Sequence, residues 1–436
     1  MMNTPPLPCR VSQKDREILR SLAGRVREIA ELPEQAGRRR LLTALNDLRP
    51  ERPIVLAYPE GAWVELLPAG AMQCEDENLR EWEKQLRQKI YWWEHLRDDN
   101  TVEPFFNIGW KINQGDYGLK IPYEHGANRG SFIWVSPLQE IEAGFDRLKP
   151  AVRTVDREGT LADLALASDI FGDLLPARIH RARYWWTSGL TFDAVQLIGL
   201  ETLMLAPYDQ PEGLHRIMGF LRDEHLKLLA WMEAERLLSD TNTDDGVGSG
   251  GVAYTSELPQ PGRQPGAPVR FLDTWGFAES QETVGVSPEM FAEFILPYQI
   301  PILEKFGLNC YGCCEPVHER IDSILTIPRL RRISVSPWCD QKIMAEKMGR
   351  NYVFSRKPNP TQICLTFNEE NIRKDLRETL AIAGDGPLEI IMKDTATVQN
   401  EPWRISRWIE IALEEVNRYA DNPDYCWQNT QTYNSR

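Results

Sequence analysis

Apolar positions along residues 14–48 recur at helical spacing. In "KDREILRSLAGRVREIAEL" Ile18, Leu19, Leu22, Val26 and Ile29 fall on one stripe, and "RRRLLTALNDL" continues the pattern. A short apolar run, "PIVLAYP" (53–59), predicts a strand. A charged helix over 77–99 follows, with Trp82, Trp92 and Trp93 along it, and then a strand at "FFNIGW" (105–110). Residues 113–132 are rich in glycine and turn formers and predict a loop or hairpin. Helices are expected at 159–171 and 192–206, and a longer one from Glu212 to about Leu238. Leu214, Met218, Leu221, His225 and Leu228 share its apolar face, and Pro211 suits its first turn. The stretch 244–270, "DDGVGSGGVAYTSELPQPGRQPGAPVR", is too long for an ordinary connection. It reads as a lid or substrate loop, or as a plain mobile insertion.

After it the pattern becomes rhythmic. Apolar runs at 269–277, 308–314, 330–338, 351–360 and 387–395 alternate with helical segments at 287–307, 318–327, 340–349, 368–383 and 402–420. Five strand–helix units with short connections predict a parallel sheet covered by helices. With further strands before residue 244, the expected fold is an α/β (β/α)8 TIM-type barrel with an N-terminal helical extension. The expected division is 1–50 for the extension, 51–420 for the barrel and 421–436 for a tail.

Composition narrows the function. The chain has 436 residues and a formal charge of -14, which disfavours nucleic acid as a partner. No apolar run approaches the roughly 20 residues of a membrane span, and the N-terminal segment has no apolar signal core. A cytoplasmic location with reduced thiols is therefore expected. The eight cysteines are not a disulfide scaffold: Cys9, Cys74 and Cys426 are scattered, while Cys310, Cys313, Cys314 and Cys339 cluster. The fourteen tryptophans suggest clefts or interfaces as well as core, and a homodimer is expected on the general frequency of symmetric pairs.

In a barrel the chemistry lies at the carboxyl ends of the strands. Those ends carry Glu279, Gln281 and Glu282; Tyr311, Cys313, Cys314 and Glu315; Trp338, Cys339 and Asp340; Lys357 and Asn359; and Lys393 and Asp394. Cys310, deep in its strand, reads as core. Cys313 and Cys314 read as chemistry, provided that the strand has ended and the chain turns so that both face one way. Lys357 and Lys393 either act on substrate or neutralise rim carboxylates. His318 reads as a cap or packing residue, Cys339 as a packing residue or a ligand from the next strand, and Asp273 as structural or substrate-facing. Two mechanisms fit. Zinc held by Cys313, Cys314 and Glu315 would keep a substrate thiol as thiolate, ready to attack a methyl group. Without metal, rim cations would hold substrate carboxylates while an acid protonates a carbanion.

The region from about 269 to 418 resembles the uroporphyrinogen decarboxylase superfamily, which includes the corrinoid-dependent methyltransferases. The resemblance rests on "SPEMFAEFILPYQIPILEKFG" ahead of a strand ending in a cysteine motif, and on "LIGLETLMLAPYDQPEGLHRIMGFL" earlier in the chain. It implies a barrel with a substrate funnel, zinc held by a histidine–X–cysteine pair and a later cysteine, and a corrinoid (cobalamin) on a partner protein. At the matching place this chain reads Tyr311-Gly312-Cys313, and near the last strand Lys393-Asp394. The arginine-rich N-terminal motif of the true decarboxylases is absent. The expected activity is thus methyl transfer between a small substrate and a corrinoid protein or thiol. Cys313, Cys314 and Glu315 would bind metal; Glu279, Lys357, Lys393 and Asp394 would act in catalysis. Trp275, Gln281, Tyr311, Trp338 and Asn359 would contact substrate. A metal-independent decarboxylase and a non-catalytic ligand-binding barrel are the competing expectations.

Overall fold

Short apolar runs become strands where the chain can pair them in parallel. In the computed structural model, which describes residues 11–125, 132–138, 140–180, 189–264 and 266–422, six strands form one sheet. They are β1 (Ile54–Ala57), β2 (Trp275–Ala278), β3 (Leu308–Tyr311), β4 (Leu330–Val335), β5 (Val353–Arg356) and β6 (Leu388–Met392). Their spatial order is β1-β6-β5-β4-β3-β2, and every neighbouring pair is parallel. Cys9, Cys426 and most of the expected tail lie outside the described residues, as does part of the 113–132 stretch.

Eight strands hydrogen-bonded into a closed ring are not seen among the described residues. The remaining parallel strands, Phe106–Ile108 and Ala177–Ile179, pair only with each other. The physical reason lies at the free edge of β1. Its outward amides, Val55 N–H and Ala57 N–H, donate to the Asp99 and Asp98 carboxylates at 2.8 and 2.9 Å. Side-chain oxygens take the place of a neighbouring strand, so the edge donors stay satisfied without one.

Several helices differ in extent from the sequence pattern. Residues 287–307 are two helices, Pro288–Phe294 and Leu296–Leu303, interrupted at Ile295. Pro297 lacks the N–H that a continuous helix would require there. The expected helix after β3 is a 3-10 turn, Val317–Arg320, followed by one α turn, Ile321–Ile324. Residues 269–274 are not strand: Phe271–Asp273 is a 3-10 turn, and Asp273 is tied to Arg270 and to the Gln260 amide. Its role is structural.

The long stretch 244–270 is no lid over residues 245–255, which are largely buried. Gly246–Val247 and Gly251–Val252 form a small hairpin against the inner face of the sheet. Val247 and Ala253 pack there with Trp275, Phe277 and Cys310. Asn46 at the end of the second helix, Pro33–Asn46, donates to the carbonyls of Val252 and Tyr254, both at 2.7 Å. His180 Nε2 meets Asp245 at 2.8 Å, so the hairpin is also pinned from the strand pair.

Strand alternation then sorts the side chains. Tyr311, Ile333, Phe354 and Ile390 face the covering helices and enter the main core with Ile405, Trp408, Ile409 and Val416 of the last helix, Trp403–Ala420. Each such fully buried side chain contributes about 1.5–3 kcal/mol. The inner face instead carries Cys310, Arg332, Ser355 and Glu389, all nearly inaccessible. No single helix among the described residues is long and apolar enough to cross a membrane.

Candidate functional site

The site begins where β3 ends. Gly312, at φ +89°, turns the chain out of the strand, a conformation that side-chain-bearing residues seldom adopt. The turn meets the condition set by the sequence: the adjacent Cys313 and Cys314 no longer point to opposite faces. Their sulfurs lie 3.6 Å apart. Lys393, just beyond β6, brings Nζ to 3.6 Å from Cys313 Sγ, and Asp394 Oδ2 accepts from Cys314 Sγ at 3.6 Å. Lys393 also lies 3.3 Å from Asp394. The strained φ of Asp394, +56°, is supported by its amide donating to Glu60 at 2.8 Å.

The hairpin completes the group. Ser249 donates to Cys313 Sγ at 3.5 Å and receives a hydrogen bond from Lys393 at 3.2 Å. The strand-end pattern of the sequence does not single out Ser249. Its signal is the glycine run "GVGSGG", which lets backbone approach the inner face: a Cβ on Gly251 would fall 2.3 Å from the Arg332 guanidinium carbon.

Electrostatics distinguish the two thiols. The hydrogen bond from Cys314, with help from the Lys393 charge, holds the Cys313 thiol down at about 7 against the effect of burial. The same hydrogen bond and burial push Cys314 up. Burial pulls Lys393 down, yet the charges of Cys313 and Asp394 outweigh it and hold the amine in its charged form. The arrangement sets a thiol that ionises readily against an ammonium, with a second thiol that keeps its proton beside it.

The carboxylates lie alongside. Gly312 N–H donates to Ala278 O at 2.9 Å, so Glu279, the next residue, flanks the cysteine turn across the sheet. Burial and the neighbouring charges of Glu315 and Glu282 raise Glu279 well above the usual carboxyl range. Glu315 is also raised by burial, but both its oxygens accept amides, Ser280 N–H at 3.0 Å and Cys313 N–H at 2.8 Å.

Glu315 is therefore not turned to the thiols as the zinc set required. Among the described residues no three His, Cys, Asp or Glu side chains are placed to hold a metal. The ammonium of Lys393 sits against the better thiolate, where it repels a cation. The donors present do not fit a zinc ion.

Of the other expected residues, Lys357 and Gln281 stay close, one feeling the charges of Lys393 and Cys313 and the other bonded to Glu279, while the rest are engaged elsewhere. Lys357 is buried inside the sheet's curve, bonded to the Ser355 carbonyl at 3.0 Å, and burial lowers it to about 7. Trp275 stands at the amino end of β2, not at the rim, with its indole N–H given to Ala253 O at 3.0 Å. Tyr311 points behind the sheet to Gln299 and Ser280. Asn359 caps Thr361, and Gln281 donates its amide to Glu279. Trp338 is 67% exposed. Cys339 is buried, its sulfur 3.6 Å from Ser336 Oγ and 3.8 Å from the Glu315 carbonyl, and Cys310 is core, beside Arg332.

Fold and site together define an α/β protein with a thiol–amine cluster at the strand ends of a parallel sheet. No family model matches the chain, and no curated protein matches it. Among solved structures, a methyltransferase from Methanosarcina mazei superposes with a TM-score of 0.47 at 10% identity, covering 88% of this chain and 98% of its own. So distant a likeness carries no argument about function.

Proposed function

We propose that this chain is a methyltransferase in which Cys313 is the nucleophile. The observation that carries the reading is the approach of Lys393 Nζ to Cys313 Sγ at 3.6 Å, with the Cys314 sulfur equally close. An ammonium and a donated S–H stabilise the thiolate, the form that attacks carbon. A methyl group bound to a small donor would pass to Cys313 Sγ and then to an acceptor, a corrinoid held by a partner protein or a second thiol. The step needs no metal in this pocket. Val64, Val284, Trp338, Leu365 and Trp403, each in the segment after a different strand, are exposed apolar side chains that a protein partner could cover. In this reading the two separate strands, Phe106–Ile108 and Ala177–Ile179, fill the gap between β1 and β2 and make the whole a barrel of eight strands.

The test is peptide mass spectrometry after incubation with a reactive methyl donor, methyl iodide. One methyl group is expected on Cys313 ahead of the other cysteines, with none at that position in Cys313→Ser. Methylation distributed over the accessible cysteines without preference for Cys313 refutes the nucleophile assignment.

A further inference from the structure

Besides Asp394, which accepts from Cys314, three carboxylates stand around the cysteine turn, and they are not equivalent. Both oxygens of Glu315 are taken by backbone amides. Glu282 accepts from Thr191 Oγ1 at 2.8 Å and from the Gln281 side chain at 3.4 Å. Glu279 uses Oε2 for the Gln281 amide at 2.8 Å, but its Oε1 is buried and has no hydrogen-bond partner among the described residues. A buried carboxylate oxygen without a donor is costly; a carboxyl that keeps its proton lowers the cost and becomes a donor in search of an acceptor.

The surroundings keep that proton in place. Glu279 is 1% exposed, and Glu315, Glu282 and Cys313 all add negative charge nearby. The pairing of Ala278 with Tyr311 and the bond from Gly312 to Ala278 O set Glu279 beside the turn that carries Cys313. A thiol drawn toward ionisation and a carboxyl held toward its acid form thus share one strand-end neighbourhood. Their opposite tendencies follow from their environments, the pattern that divides nucleophile from acid.

We propose that Glu279 is the general acid of this site, and that the methyl donor is a methyl ether, whose oxygen must take a proton to leave. This rests on the methyltransferase reading and names its substrate class. The step balances. Cys313 Sγ forms a bond to the methyl carbon as the carbon–oxygen bond breaks, and the leaving oxygen takes the Glu279 proton. The products are a methyl thioether on Cys313, an alcohol or phenol, and the Glu279 carboxylate. Transfer of the methyl group to the acceptor restores the thiolate, and a proton from water restores the acid.

The experiment compares the full chain with Glu279→Gln, using methyl phenyl ether and methyl iodide as probes and Cys313 methylation as the readout. Iodide leaves without a proton, so it controls for folding and for the thiolate. The ether-to-iodide rate ratio is expected to fall about 100-fold or more in the variant, the usual contribution of a positioned acid. An unchanged ratio overturns the assignment of Glu279. Wild-type protein that takes methyl from iodide but not from the ether overturns the proposed substrate class and leaves the nucleophile reading standing. Wild-type protein methylated at Cys313 by neither probe overturns both.

Discussion

The inner face of the sheet and its strand-end rim are built from the same residue types and put to opposite uses. On the inner face the Arg332 guanidinium lies 2.7 Å from the Glu389 carboxylate and 2.6 Å from Asn46 Oδ1. Ser355 bonds to Glu389, and Lys357 bonds to Ser355. The Arg332 charge is matched there by Glu389 and closed over by the hairpin, while burial holds Lys357 down. At the rim the matching is incomplete. Cys313 is balanced by Lys393, but Cys314 holds its proton, and Glu279 has an oxygen with no hydrogen-bond partner among the described residues. Paired groups hold the fold, whereas groups with unspent capacity are those able to meet a ligand.

The comparison can be broken at either end. Its largest consequence for stability is in the interior. Arg332→Met would leave Glu389 buried without its cation and is expected to cost about 3–5 kcal/mol in urea unfolding. A loss below about 1 kcal/mol would mean that the inner ion pair is not structural. Next is Gly251→Ala. Its Cβ would fall 2.3 Å from Arg332 Cζ, so the hairpin or the guanidinium must move. The expected cost is about 1–3 kcal/mol, the range for overpacking, together with slower alkylation of Cys313 as Ser249 shifts. The smallest stability effect belongs to the rim. Cys313→Ser takes the charge partner from Lys393 and is expected to cost about 1 kcal/mol or less while removing the methyl acceptor.

The C-terminal half was legible because each unit is local. Its helices open with caps that the sequence spells out, Ser287, Asp340 and Asn368, each bonded to amides of the first turn. Apolar strands between those caps left little choice. The first half resisted because its pairings are distant. Phe106–Ile108 meets Ala177–Ile179 some 70 residues on, and no local pattern announces that Asp98 and Asp99 will close the edge of β1. The site divides in the same way. Residues at strand ends, Glu279, Cys313, Lys393 and Asp394, could be read from position alone. Ser249 could not, since it reaches Cys313 from 64 residues away through a hairpin whose burial depends on three other elements. Tyr311 and Trp275 were misplaced for one reason: being on the right strand does not say which face, or which end, a side chain occupies.

The central claim is that Cys313 is a thiolate near neutral pH because Cys314 and Lys393 make it one. The direct measurement is the rate of Cys313 modification by iodoacetamide against pH, followed by peptide mass spectrometry, in the intact chain and in Lys393→Met. Only the thiolate reacts, so the rate should rise with pH through a midpoint of about 7 and level off above it. In Lys393→Met the midpoint should move to higher pH. A midpoint at the ordinary thiol value of about 8.5, unmoved by the loss of Lys393, would contradict the account.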